Sequence, residues 1–233
     1  MKTANTLLVA GYLFFLACSV ALAEPSADEL AKTLNDQWEV IFYTQPADRQ
    51  AGQFKALLPH IREFRAKFPN RAEPLVIEAV TLCTLVAAEW SFSALGDIEN
   101  ARDLLLKSIE LDPRAMEAAA YIALGNLYYR LPGWPLSFGD DDLARQYLES
   151  AVKYYPNEVD TNYFLGDYWL GEEDYGKALV YLEKADKAEV RQGHELADRR
   201  TKAETRKALE AARKGGESDR DSFFSDIVPS FFK

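Results

Sequence analysis

The residue types that could do covalent chemistry are few and poorly spaced for it. The two histidines, His60 and His194, lie far apart, and neither has a partner at ligand spacing. No G-x-S-x-G, H-E-x-x-H or C-x-x-C occurs, so the patterns that activate a serine, a zinc-bound water or a dithiol are missing. The run Asp140-Asp141-Asp142 invites a calcium reading, but the spacing to Glu149 lacks the glycine and alternating ligands of an EF-hand loop. These carboxylates read better as a helix cap and first turn, where a cap contributes ~1 kcal/mol. Cys83 sits in the apolar run "EAVTLCTLVAAEW" and reads as a small core residue. The expectation is a protein that is not an enzyme and takes no metal or cofactor. Binding chemistry remains. Asn126, Arg130 and Asp167 can hydrogen-bond a carboxylate or a peptide backbone, and Trp90, Tyr129, Trp134, Phe138 and Tyr163 can add apolar contact.

The elements that would hold these residues are helical. Strand signals are nearly absent, and apolar residues recur at helical spacing between breaks at Pro and Gly. Ahead of them stands "MKTANTLLVAGYLFFLACSVALAEP", with Lys2, then an apolar run from Leu7, then the small-x-small Ala21-Leu22-Ala23. This reads as a secretory signal over residues 1–23, cut after Ala23. A lipidated Cys18 ranks second. An uncleaved anchor ranks third, because the run is short for the ~20 apolar residues of a span. Cleavage after Ala23 leaves Cys83 as the sole cysteine, hence no intramolecular disulfide. The mature chain is long enough for one domain with a real core. A formal net charge of -10 argues against nucleic acid and anionic membrane surfaces as main partners. The expected location is periplasmic or secreted, with membrane attachment only if Cys18 is lipidated.

Two segments repeat. In "AAAYIALGNLYYR…DDDLARQYLESAVKYYP" the shared positions are Leu124, Gly125, Tyr128, Ala144, Leu148 and Ala151; in "VDTNYFLGDYWLGEEDYGKALVYLEKADKAE" they are Leu165, Gly166, Trp169, Ala178, Leu182 and Ala185. The glycines lie 166 − 125 = 41 residues apart. A tetratricopeptide repeat has ~34 residues. The seven-residue stretch "PGWPLSF", Pro132 to Phe138, accounts for the difference and falls between the two helices of one repeat. Glycine and alanine at these positions let facing helices approach, and Leu and aromatic residues fill the remaining space. A weaker copy pairs "LVIEAVTLCTLVAAEWSF" with "ENARDLLLKSIELDP". A degenerate pair precedes it, with Trp38 on one helix and "FKALLPHIREFRAKFP" as the next. "HELADRRTKAETRKALEAARK" reads as a capping helix with a polar outer face. The predicted fold is an all-α right-handed tetratricopeptide-like solenoid over 24–214, with a flexible tail over 215–233.

The stretch "ALGNLYYRLPGWPLSFGDDDLARQYLESAVKYYPNEVDTNYFLGDYW" resembles the TatT-component family associated with TRAP transporters. The resemblance rests on the tyrosines, P-G-W-P and F-G-D-D of the loop, and on the N-Y-F-x-G-D stretch from Asn162 to Asp167. It covers about Ala115 to Ala188. It implies an extracytoplasmic helical solenoid, often lipid-anchored and oligomeric, working beside a transporter's substrate-binding protein.

In a tetratricopeptide register, one stripe of each first helix lines an inner groove. That stripe takes in Val86 and Trp90, then Ile122, Asn126, Tyr129 and Arg130, then Tyr163 and Asp167. Two alternatives stand beside it: Trp90 and Tyr163 are equally well core residues, and Arg130 and Asp167 can pair with each other. Trp134 and Phe138 either plug the gap between helices, the reading favoured here, or reach a partner at the rim of the groove. The function expected is an exported scaffold binding a protein partner in the envelope; the alternative is a carrier holding a small apolar or carboxylated ligand.

Overall fold

The computed structural model describes residues 24–88 and 94–215. Residues 1–23, where a signal segment is expected, Trp90 and the tail from residue 216 lie outside the described residues. Among those described, nine α-helices follow one another with no strand. They are α1 (Ala27–Thr44), α2 (Ala47–Lys67), α3 (Glu73–Ala88), α4 (Ala94–Leu111), α5 (Ala119–Arg130), α6 (Asp141–Tyr154), α7 (Val159–Gly171), α8 (Tyr175–Lys187) and α9 (Glu195–Lys214). Consecutive helices pair as α1/α2, α3/α4, α5/α6 and α7/α8, each pair stacks on the next, and α9 packs on α7 and α8. The expected all-α solenoid is the architecture observed. No helix among the described residues is long and apolar enough to cross a membrane.

Local sequence explains where the helices start. Ser26 and Glu29 form a reciprocal capping box on α1, with the Ser26 N–H donating to Glu29 Oε2 at 2.8 Å. Asp140 caps α6 by accepting from the Leu143 N–H at 2.9 Å, and Asp174 caps α8 by accepting from the Lys177 N–H at 3.0 Å. The Asp140–Asp142 run is therefore a cap and first turn, as its spacing implied.

The repeat positions are where the helix pairs interlock. Ala144, Leu148 and Ala151 on α6, and Ala178, Leu182 and Ala185 on α8, are all buried. A Cβ at Gly125 would stand 2.5 Å from Leu148 Cγ, and one at Gly166 would stand 2.7 Å from Leu182 Cγ. Each glycine thus receives the leucine of its paired helix, and burying each leucine contributes about 1.5–3 kcal/mol. One core runs from α3 to α9, and a second joins α1 and α2 to Ile77 of α3. Val80 and Met116 pack against both.

The inserted loop separates α5 from α6, as the repeat length required. It folds back on itself through the Gly139 N–H to Pro132 O at 3.0 Å and the Asp140 N–H to Tyr128 O at 2.9 Å. At Gly139 a Cβ would lie 1.9 Å from Leu131 O, so the return strand of the loop admits only glycine there. The two aromatic residues diverge. Phe138 meets Tyr128 edge-on at 5.4 Å and lies under the Arg102 guanidinium at 4.6 Å, sealing the loop against α4 and α5. Trp134, by contrast, is 89 % exposed, and Leu136 is 72 % exposed. The plug reading holds for Phe138 and fails for Trp134. Closing the loop requires only one ring, because the turn around Gly133 carries Trp134 outward.

Candidate functional site

The first helices of the pairs enclose a cavity of about 430 Å³. Its wall comes from α1, α3, α5, α7, the start of α9 and the residues just before α5 and α9; α2, α4, α6 and α8 contribute nothing. That division follows from the solenoid, in which second helices form the outer layer. The α3 and α5 side is apolar, built from Val76, Val80, Cys83, Ile122 and Ala123. Burial pushes the Cys83 thiol up to about 12, so it is a packing group here and not a thiolate. Trp38 and Tyr43 of α1 and Phe164 of α7 add aromatic faces.

The far end is ionic and centres on Arg191, in the loop before α9. Its guanidinium meets Asp198 at 2.5 Å and Asp160 at 3.0 Å, pairs closely with Glu117, and lies 3.4 Å from Glu158. The Arg191 N–H also donates to Asp198 Oδ2 at 2.8 Å. His194, the residue preceding α9, lies 3.4 Å from Glu39 of α1 and 3.9 Å from Glu117. This cluster joins the first of the described helices to the last, since α1 touches α9.

Electrostatics follow from that geometry. Hydrogen bonding to Glu39 raises the His194 pKa above its usual 6.5, against the opposing effect of burial. Burial raises the carboxyl groups of Glu158 and Asp160, with Arg191 pulling both back down. Burial opposes the Arg191 charge, but Asp198, Asp160 and Glu117 outweigh it and the guanidinium stays protonated. Glu117 is held there by an unusual backbone. Met116, Glu117 and Ala118 have φ of 48°, 55° and 63°, three successive left-handed residues, none a glycine. Each costs of order 1–3 kcal/mol. Together they turn the chain so that Met116 enters the apolar wall while Glu117 reaches Arg191.

The residues predicted from sequence divide. Asn126, Arg130 and Ile122 line the cavity. Asn126 donates to its own helix at Ile122 O, 3.0 Å. Arg130 Nη2 donates to Asp167 Oδ2 at 2.9 Å, with both side chains largely buried, so the pairing alternative is the one realised. Tyr129, Tyr163 and Asp167 do not line the cavity, and neither do Val86, Trp134 or Phe138. Tyr129 packs edge-on against Tyr168 at 4.9 Å with its hydroxyl over Gly171, and Tyr163 is a core residue. On α7 the cavity-lining residues are Asp160 and Phe164. Tyr163 precedes Phe164 by one residue and so points about 100° away, into the core, whereas Asp167, seven residues after Asp160, shares the stripe's face and is taken up by Arg130.

The ionic residues were missed. Glu39, Glu117, Asp160, Arg191, His194 and Asp198 are scattered through the sequence. The one local signal is "VRQGHELAD", where Arg191 and His194 precede a helix start bearing Asp198. Among the described residues, no group of three or more His, Cys, Asp or Glu is arranged to hold a metal ion.

Residues 119–158, covering α5, the inserted loop and α6, match the family described as tetratricopeptide repeat. No curated protein matches the chain. The chain therefore contains a tetratricopeptide repeat within an all-α helical solenoid.

Proposed function

We propose that this chain is an exported, non-enzymatic scaffold that receives a segment of a protein partner in its inner cavity. The observation that carries the reading is the cavity's construction: every helix in its wall is a first helix of a pair, or α9, and the second helices stay outside. A tetratricopeptide repeat supports a protein partner as the general class of ligand. Export after Ala23 and service to a TRAP-type transporter, with its substrate-binding protein as partner, are the finer parts of the proposal. They rest on the N-terminal apolar run and on the resemblance of residues 115–188. The carrier reading keeps one supporting observation: about 430 Å³ falls within the ~300–1,000 Å³ of small-ligand pockets.

Cross-linking in envelope extracts, followed by mass-spectrometric mapping, tests the first reading. Cross-links to the partner should cluster on α1, α3 and α5 and vanish when Ala123→Leu fills the cavity. Cross-links that persist in this variant would place the partner elsewhere. Native mass spectrometry of the purified mature protein tests the carrier, which should retain a bound small molecule. Sequencing of the exported form should find Glu24 first; a lipidated Cys18 would overturn the cleavage site and put the protein on a membrane.

A further inference from the structure

The charge in the cavity is unbalanced. Lys32 pairs with Asp36 at 2.6 Å and Arg130 with Asp167 at 2.9 Å, and these four cancel. The remainder on the cavity wall is Glu39, Glu117, Asp160 and Asp198, four negative charges, against Arg191 and, when protonated, His194, two positive ones; the difference is −2. The starts of α7 and α9 lie in the same cluster, since Glu158 is the residue preceding α7 and Asp198 sits in the first turn of α9. Each helix start supplies about +0.5 of a charge. A deficit of about one positive charge remains. The carboxylates gather around the Arg191 guanidinium and, among the described residues, form no group that could hold a metal ion. They stand at one end of a cavity whose other walls are mostly apolar, with the aromatic faces of Trp38, Tyr43 and Phe164. An anionic end beside aromatic faces is chemistry that recognises an organic cation, through charge-assisted hydrogen bonds and cation–π contact.

From this charge complementarity we infer that the cavity takes a basic side chain, lysine or arginine, presented by a partner peptide and flanked by an apolar residue. The inference rests on the protein-partner reading above and specifies its chemistry. The apolar neighbour packs on Val76, Val80 and Ile122, while the cation reaches Glu117, Asp160 and Glu39. This is the reverse of the carboxylated ligand expected from Asn126 and Arg130, because Arg130 already holds Asp167.

The test uses the full mature chain and a display library of random heptapeptides. Selected peptides should be enriched in Lys or Arg next to an apolar residue, and their binding should disappear in Ala123→Leu. The strongest binder, synthesised, should lose roughly tenfold or more in affinity when its basic residue becomes norleucine. Glu117→Gln should weaken the basic peptide by a similar factor and leave the norleucine peptide unchanged, which a merely unfolded variant would not do. Cavity-dependent peptides without basic enrichment would overturn this inference and leave the partner reading standing. If no selected peptide is sensitive to Ala123→Leu, both fail. Competition by spermidine at the same concentration as the peptide would make the occupant a free polyamine and overturn the peptide assignment.

Discussion

Gly125 offers a direct test of how the repeats are held together. Replacing it with alanine adds one methyl group. In an exposed helix interior that change stabilises by about 1 kcal/mol, because glycine has more conformational freedom to lose on folding. Here the new Cβ would stand 2.5 Å from Leu148 Cγ, 2.7 Å from Leu148 Cδ2 and 3.2 Å from Ala144 O. Leu148 is buried to within 1 % and has no open space to swing into. Overpacking of this kind costs about 1–3 kcal/mol. The propensity gain offsets about 1 kcal/mol of that, leaving a net loss of up to about 2 kcal/mol. At about 2–4 °C per kcal/mol for a chain of this size, the melting midpoint should fall by up to roughly 8 °C. Gly52 of α2 is the internal control, since nothing lies within 4 Å of its would-be Cβ. Gly52→Ala should raise the midpoint by about 1–4 °C. Leu148→Ala alone should cost about 2–5 kcal/mol, and combined with Gly125→Ala it should cost less than the sum, because the clash goes with the leucine. Thermal and urea melts of the four variants decide it. A Gly125→Ala midpoint that rises like that of Gly52→Ala would refute the claim that this glycine is a packing residue.

Three further outcomes follow from side chains that the structure places firmly. Arg130→Ala should destabilise the fold by about 3–5 kcal/mol, because it strands the buried Asp167 carboxylate. A variant with wild-type melting would show that Asp167 has another cation. Trp134→Ala should leave melting within about 0.5 kcal/mol of wild type, whereas Phe138→Ala should lower it by about 1–3 kcal/mol for the lost ring contacts; equal effects would contradict the observed division of the loop. His194 has a raised pKa through Glu39, so its stabilising contribution is complete below about pH 6.5 and is lost as pH rises through the folded value. Urea midpoints should therefore decline from about pH 6 to pH 8, the exposed carboxylates with lowered pKa values acting only below their usual 4.5. His194→Gln should flatten that slope, and an unchanged slope would remove His194 from the cause.

The sequence determined the helical solenoid because its signals are local. Caps such as Ser26-x-x-Glu29 and Asp140, and the paired Gly125/Leu148 and Gly166/Leu182, record contacts between neighbouring helices a fixed number of residues apart. The inserted loop was legible for the same reason, as an excess over the repeat length. The opposite fates of Trp134 and Phe138 were not, since both are aromatic residues in one turn and only the direction of the chain separates them. The cavity's ionic end left almost no trace. Glu39, Glu117, Asp160, Arg191 and His194 come from the two ends and the middle of the chain, and they meet because the superhelix brings α1 against α9. On α7 it is Phe164 and not its neighbour Tyr163 that meets the cavity, while Asp167, on the face of Asp160, is taken up by Arg130 of α5. Helix periodicity fixes which residues share a face, but which face turns inward is decided by the neighbours that each helix meets in the folded chain.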